Sequence, residues 1–189
     1  MARLTYGAIL IDPPWSFETF SGKHVTAHRT AVDHYETMEL WQIAGLPVPK
    51  LAARNCALFL WVVDSHLDAA LALFGVWDFK FKTRVFTWEK TTEAGEPRIG
   101  MGYWSRKQSE ICLLATRGSP RRLSKGVREL HREPRREHSR KPDEFYGRIE
   151  RLVAGPYLEM FARQRRPGWD AWGNEVDKFA AAPIDPFAE

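Results

Sequence analysis

Cysteine is scarce in this 189-residue chain: there are two, Cys56 and Cys112. Two cannot build a disulfide framework, and neither belongs to a Cys-x-x-Cys pair, so a cysteine zinc site is not expected. Each sits inside an apolar run and reads as a small buried hydrophobe. No apolar run approaches the ~20 residues needed to cross a bilayer. The start, Met1 to Tyr6, flows straight into a strand-like run and leaves no room for a signal peptide. A soluble, cytoplasmic protein is the expectation. The sequence also lacks internal repeats, a domain linker and any Gly-x-Gly-x-x-Gly nucleotide loop. His24, His28 and His34 share one polar stretch, but without a helical pattern or a carboxylate partner they predict no metal site.

What is present is ordinary globular material, 44% hydrophobic and 28% charged. The length fits one domain, expected over residues 1–179, with 180–189 as a frayed tail. The net charge of +4 is unevenly placed. Segment 117–141 holds ten basic residues against Glu129, Glu133 and Glu137, a net +7 on an otherwise acidic body. Such a basic arm points to a polyanionic partner.

Tyr6–Ile11 and Ala57–Val63 are continuously apolar and predict strands buried on both faces. Thr37 is the expected cap of a short helix through Met38, Trp41 and Ile43. Ser65 and Asp68 have capping-box spacing before a helix with Leu67, Ala70, Leu71 and Phe74 on one stripe. Phe79–Thr83 alternates, Glu110–Ala115 and Tyr157–Phe161 read as further strands, and 117–141 reads as largely irregular. Pro142, Asp143 and Glu144 suit the start of a helix over 142–153, with Phe145, Ile149 and Leu152 inward. Alternating strands and helices with buried strands argue an α/β fold with a mostly parallel sheet.

Asp12-Pro13-Pro14-Trp15 closes the first buried strand, and open α/β sheets bind ligands just outside the carboxyl ends of their strands. A carboxylate accepts hydrogen bonds from an amino group. Pro14 gives the Pro13 carbonyl no following N–H and stiffens the turn, leaving that oxygen to a ligand. Trp15 offers a flat face for a base. The set suits a planar aromatic amine.

Ile11-Asp12-Pro13-Pro14-Trp15 resembles the catalytic motif of the MT-A type adenine-N6 methyltransferases. The likeness continues in order through Tyr35-Glu36-Thr37-Met38, Leu58-Phe59-Leu60-Trp61-Val62, Gly102-Tyr103-Trp104 with Glu110-Ile111-Cys112-Leu113, Lys141-Pro142-Asp143-Glu144 with Ile149-Glu150-Arg151-Leu152, and Leu158 to Arg163 with Asn174-Glu175. The departures are Ser105-Arg106-Lys107, where the family often shows Asn, and an upstream adenine-holding segment that lies outside this sequence.

The resemblance implies a Rossmann-like fold that binds S-adenosylmethionine, with helices on both faces of the sheet and a permuted order, catalytic motif before cofactor motif. It implies a catalytic Asp12-Pro13-Pro14-Trp15 turn. Asp12 would also hold the cofactor's ammonium and Lys141 its carboxylate. Glu159, Phe161, Arg163, Asn174 and Glu175 would complete the cofactor site, though Lys141, Arg163 and Glu175 also read as solvated charges. Substrate contacts are expected from Trp15, Tyr35, Arg106, Lys107, Arg121, Arg122 and Lys125. The implied activity is transfer of a methyl group to adenine N6 in nucleic acid, DNA ahead of RNA. A non-catalytic nucleic-acid-binding subunit is the rival reading, and a homodimer or partner subunit is compatible with either.

Overall fold

A computed structural model of the chain describes residues 4–16, 37–100, 102, 104–137 and 140–179. Seven strands form one sheet in the order β5-β3-β4-β2-β1-β6-β7. They are β1 (Tyr6–Ile11), β2 (Ala52–Val62), β3 (Lys80–Thr91), β4 (Ser109–Arg117), β5 (Leu130–Pro134), β6 (Tyr157–Met160) and β7 (Trp169–Trp172). β1 pairs in parallel with β2 and β6, β6 with β7, and β3 with β5. Only β4 runs against its neighbours, β2 and β3. The sheet is therefore mostly parallel, as the buried strands predict.

Both faces are covered, and strict alternation divides them. Ile9, Ile11, Leu58, Leu60 and Val62 point into one core, with Ile43 of α1 (Leu40–Ala44), Val48 of α2 (Val48–Leu51) and Ala70, Leu73 and Phe74 of α3 (Leu67–Val76). Ala8, Leu10, Ala57, Phe59 and Trp61 point into the other, with Phe145 and Ile149 of α4 (Glu144–Leu152). Cys56 and Cys112 are fully buried, one in each core. Gly7 is required where β1 enters, because a Cβ there would lie 2.7 Å from the Ala154 carbonyl. Among the described residues, no helix is long and apolar enough to cross a membrane.

Several local expectations are corrected. The first helix starts after Glu39, not Thr37, and Gln42 Oε1 accepts the Glu39 N–H at 2.8 Å. Ser65 caps nothing: it lies in a 3₁₀ turn over Asp64–His66, with Oγ 3.0 Å from His66 Nδ1. In α3 the buried stripe is Ala70, Leu73 and Phe74, and Leu67 and Leu71 face solvent. β2 begins five residues earlier than its apolar run, and β3 runs eight residues past Thr83. β5 lies inside the segment expected to be irregular. It is an edge strand, which needs no apolar face and tolerates Pro134 at its end. β7, four residues long, left no periodic trace.

The least expected buried group is Arg148, on the inward side of α4. Its guanidinium donates to the carbonyls of Arg128 (2.8 Å) and Leu130 (3.0 Å), and to Glu144 Oε1 (3.2 Å). It also faces the Phe145 ring at 5.6 Å. One side chain thus fastens the middle of the basic segment, including the start of β5, to α4. Replacing Arg148 with Met should cost about 2–3 kcal/mol, the scale of hydrogen bonds to a charged donor. Urea denaturation measures this, and Arg148→Lys should recover only part, since an ammonium cannot span the same carbonyls.

Candidate active site

β1 and β6 lie side by side, and their carboxyl ends open the site. Asp12-Pro13-Pro14 leaves β1 as a turn fixed from both sides. The Trp15 N–H donates to the Pro13 carbonyl at 2.9 Å, and the Met38 N–H to the Pro14 carbonyl at 2.8 Å. Two expectations change here. The Pro13 carbonyl is not free, although a carbonyl oxygen keeps a second lone pair for another donor. Trp15 is no platform for a base: it is 4% exposed and part of the core. Its Nε1–H donates to the Trp61 carbonyl at 3.2 Å, and its ring lies 5.3 Å from that of His66. Its indole anchors the turn to β2.

Asp12 belongs to a chain of alternating charges. Lys141 Nζ lies 2.6 Å from Asp12 Oδ2 and 3.2 Å from Glu110 Oε2. Glu110 pairs in turn with Lys90. Burial drives the Asp12 carboxyl above its ordinary value, with Lys141 opposing. At Glu110 burial is outweighed by Lys141 and Lys90, and the carboxyl is held down at about 2. Burial disfavours charge on Lys141, but Asp12 and Glu110 reverse this and keep the ammonium firmly protonated. Glu110 and Lys90 were not anticipated as site residues. The sequence clue was a lone carboxylate opening an otherwise apolar strand.

At the end of β6, Glu159 is buried and accepts the Tyr146 O–H at 2.7 Å. Desolvation raises its carboxyl to about 7 against the lowering effect of Tyr146 and Arg166. Phe161 follows with φ 63°, a left-handed conformation that is costly for an aromatic residue. Its ring meets Trp172 edge-on at 5.4 Å, and the Ala162 N–H donates to the Trp172 carbonyl at 3.0 Å. Gly173 then passes so close that a Cβ would lie 2.9 Å from the Ala162 carbonyl.

These elements enclose a cavity of about 580 Å³ lined by Asp12, Pro13, Phe161, Arg163, Asn174 and Glu175, among others. A much smaller cavity, about 30 Å³, adjoins Asp12 on the side of Lys141 and Glu159. The structure thus brings Asp12, Pro13, Pro14, Lys141, Glu159, Phe161, Arg163, Asn174 and Glu175 around two cavities that share Asp12. Arg163 Nε bonds Glu175 Oε2 at 2.9 Å, so these two charges hold each other in the lining of the larger one. Tyr35 lies outside the described residues, as do His24, His28 and His34. Among those described, no cluster of three His, Cys, Asp or Glu stands ready for a metal.

The expected substrate residues are dispersed. Arg106 is exposed, and Lys107 pairs with Asp64 at 2.5 Å. Half of the basic segment is internally neutralised: Arg117 by Asp78, Arg132 by Glu89, Arg136 by Asp143, Arg140 by Glu137, and Lys141 as above. Arg121, Arg122, Lys125, Arg128 and Arg135 are exposed, and none forms an ion pair with another described residue.

The MT-A70 family profile matches residues 6–175. The chain belongs to the MT-A70 family. It is 29% identical to the type II methyltransferase M.MunI of Mycoplasma sp, over 93% of this chain and 80% of that one. It is 30% identical to the human N(6)-adenine-specific methyltransferase METTL4, covering 94% of this chain but 39% of METTL4. Against the human N(6)-adenosine-methyltransferase catalytic subunit METTL3 it is 28% identical, over 91% of this chain and 28% of METTL3. It therefore spans most of the mycoplasma protein and well under half of the human ones. MT-A70 methyltransferases use S-adenosylmethionine. The residues fit it: the larger cavity has the size of a small-ligand pocket, Glu175 and Asn174 bring acceptors suited to ribose hydroxyls, and Asp12 brings a carboxylate suited to the ammonium.

Glu159 gives this site a pH signature. The native carboxyl keeps its proton to about pH 7, whereas an unfolded one releases it near 4.5. Rising pH across that window therefore favours the unfolded chain. Glu159→Gln removes the penalty and still accepts from Tyr146. Its stability gain over wild type should be larger at pH 8 than at pH 5 by about 2 kcal/mol, read from melts at the two pH values.

Proposed function

We propose that this MT-A70 protein is an S-adenosylmethionine-dependent adenine-N6 methyltransferase acting on nucleic acid, with DNA as its substrate. The observation that carries the reading is the partly buried ion pair between Lys141 and Asp12 of the Asp-Pro-Pro-Trp turn, where the two cavities meet. The chemistry supplied by the cofactor is a methyl group already activated on a sulfonium. The protein's task is positioning. Adenine N6 is a weak nucleophile because its lone pair is delocalised into the ring. Asp12 and the remaining lone pair of the Pro13 carbonyl accept the two N–H bonds and hold the amine in one orientation. Lys141 and Glu110 hold Asp12, and Trp15 holds the turn. No strong general base is needed, because the methylated, positively charged amine loses its proton readily to water. A base within a duplex must first leave the stack.

Asp12→Asn preserves shape and leaves Lys141 paired with Glu110. It should lower turnover by about 10²-fold or more while the protein stays folded, the scale of a misplaced reactant. Nucleoside mass spectrometry after incubation with labelled cofactor measures this. A folded variant with wild-type turnover would sink the assignment, and wild-type protein that binds cofactor and never methylates would favour the non-catalytic subunit.

Two observations support DNA over RNA. The name of METTL4 specifies adenine, the base, rather than the ribonucleoside adenosine. M.MunI, 80% of whose own length is covered, is a type II methyltransferase. Arg121, Arg122 and Lys125, exposed and without acidic partners among the described residues, make the phosphate-contacting surface. Each phosphate they neutralise adds about −0.9 to the slope of log affinity against log salt on duplex DNA. Replacing all three with Gln should flatten the slope by about two to three such increments. Equal slopes would remove the segment from the interface, and stronger methylation of matched RNA than of either DNA form would reverse the choice of substrate.

A further inference from the structure

Of the large hydrophobic side chains described, Trp104 is the most exposed, at 94%. It belongs to the connection between β3 and β4, residues 92–108, which also exposes Ile99. Tryptophan is strongly buried on average, so an indole standing in solvent is the informative case. The connection that carries it is well held. The Arg98 N–H donates to the Lys90 carbonyl at 2.8 Å, the Lys90 N–H to the Gln108 carbonyl at 2.8 Å, and the Gly100 N–H to the Lys107 carbonyl at 2.6 Å. Gly102 has no room for a side chain, because a Cβ there would collide with the Ser105 carbonyl. The chain therefore turns tightly, with Trp104 at the tip. Lys107 pairs with Asp64 and ties this tip to the 3₁₀ turn after β2.

The tip stands at the edge where the chemistry is. Its anchor, Lys90, is the outer member of the charge chain that runs through Glu110 and Lys141 to Asp12. Six residues, at most about 20 Å of chain, separate Trp104 from Glu110. Arg98 and Arg106 lie on either side of the tip in sequence, both exposed, and neither forms an ion pair with another described residue. The acids of the connection, Glu93 and Glu96, belong to the turn at its other end, where the Thr92 N–H donates to the Glu96 carbonyl at 2.8 Å.

We infer that Trp104 is a wedge for duplex DNA: it enters the helix beside the target adenine, stacks on the neighbouring base and fills the space the adenine leaves, with Arg98 and Arg106 on the flanking phosphates. The inference rests on the function proposed above and deepens it, by assigning the step that makes a paired adenine reachable. A paired adenine cannot present its amine to Asp12 without losing its stacking. Apolar side chains inserted at a base step offset part of that loss. An aromatic face does so beside any sequence, because every base has a π-face. A wedge must keep its shape against the helix, and a tip held by its own hydrogen bonds and by Lys107–Asp64 needs little ordering on binding. Trp15 is buried and cannot serve, whereas Trp104 offers an exposed indole at the same edge. A platform for single strands lies along a groove that tracks the backbone, and one indole on a tip suits one step of a duplex instead.

Trp104→Ala and Trp104→Phe test the wedge, since a side chain so exposed is replaced without disturbing the core. Permanganate oxidation of thymines in duplex DNA, with S-adenosylhomocysteine present, reports unstacked bases and needs no methyl transfer. Wild type should raise thymine reactivity where it binds, Trp104→Ala should abolish the rise, and Trp104→Phe should keep most of it. Turnover is then compared on one circular DNA in its double- and single-stranded forms. Trp104→Ala should lose about tenfold on the double-stranded form and stay within about twofold on the single-stranded one, the scale of one stacked base, with cofactor affinity unchanged. The wedge is overturned by wild type that raises no reactivity, by a rise that survives in Trp104→Ala, or by equal losses on the two forms, which would make the indole a contact of the target base. A Trp104-dependent rise in protein that transfers no methyl group would keep the wedge and remove the methyltransferase reading.

Discussion

The ammonium of Lys141, held between Asp12 and Glu110, is the interaction on which the site depends. Its partners are far apart in sequence, and only this topology brings them together. Asp12 stands at the end of β1. Glu110 stands at the beginning of β4, the one strand that runs the other way, so its start lies at the edge where its neighbours end. In β3, Glu89 pairs with Ser109, which puts Lys90 at that same edge. Lys141 arrives from the segment just before α4. The antiparallel strand in an otherwise parallel sheet is thus the means by which a second carboxylate reaches the edge that carries Asp12.

Residues with a local pattern were legible in the sequence. β1 and the second half of β2 declared themselves by continuous apolar runs, and α4 by Phe145 and Ile149 four apart. The Asp12 turn declared itself by its position after β1. Elements held by pairing alone were not legible. β5 contributes little to the core and owes its existence to β3 and to Arg148. β7 is four residues long and depends on Trp169 packing against Tyr157 at 4.9 Å. Glu110 looked like the polar end of a strand, and nothing local marks it as the partner of two lysines far away in sequence, Lys90 and Lys141.

Trp15 and the basic segment show a second kind of misreading, in which residue type is taken for role. An indole three residues after the Asp12 carboxylate suits base stacking, but this one is buried and its N–H bonds a backbone carbonyl. Ten basic residues in twenty-five look like a single electrostatic surface. Half of them are neutralised by acids: Asp78 before β3, Glu89 of β3, the segment's own Glu137, Asp143 at the start of α4, and Asp12 with Glu110. What remains for a polyanion is a smaller exposed set, and the rest of the charge ties the loop to the body. Charge counted along a sequence is an upper bound on charge presented to a partner.

The stability of the fold does not call for this cluster. Buried ion pairs roughly break even against apolar replacements of the same shape, because desolvation consumes most of the attraction. Four alternating charges at one sheet edge, with a further carboxylate at Glu159 driven toward neutrality, are therefore an arrangement that packing alone would not favour. The two apolar cores lie on the faces of the sheet, away from that edge, and supply the stability that lets it persist. At the edge the charges do what apolar groups cannot. They set the position of the Asp12 carboxylate to within a hydrogen-bond length and keep it beside a permanent cation. Fold and site thus divide along the strands: side chains alternating across the sheet hold the protein together, and those at its carboxyl end are free for chemistry.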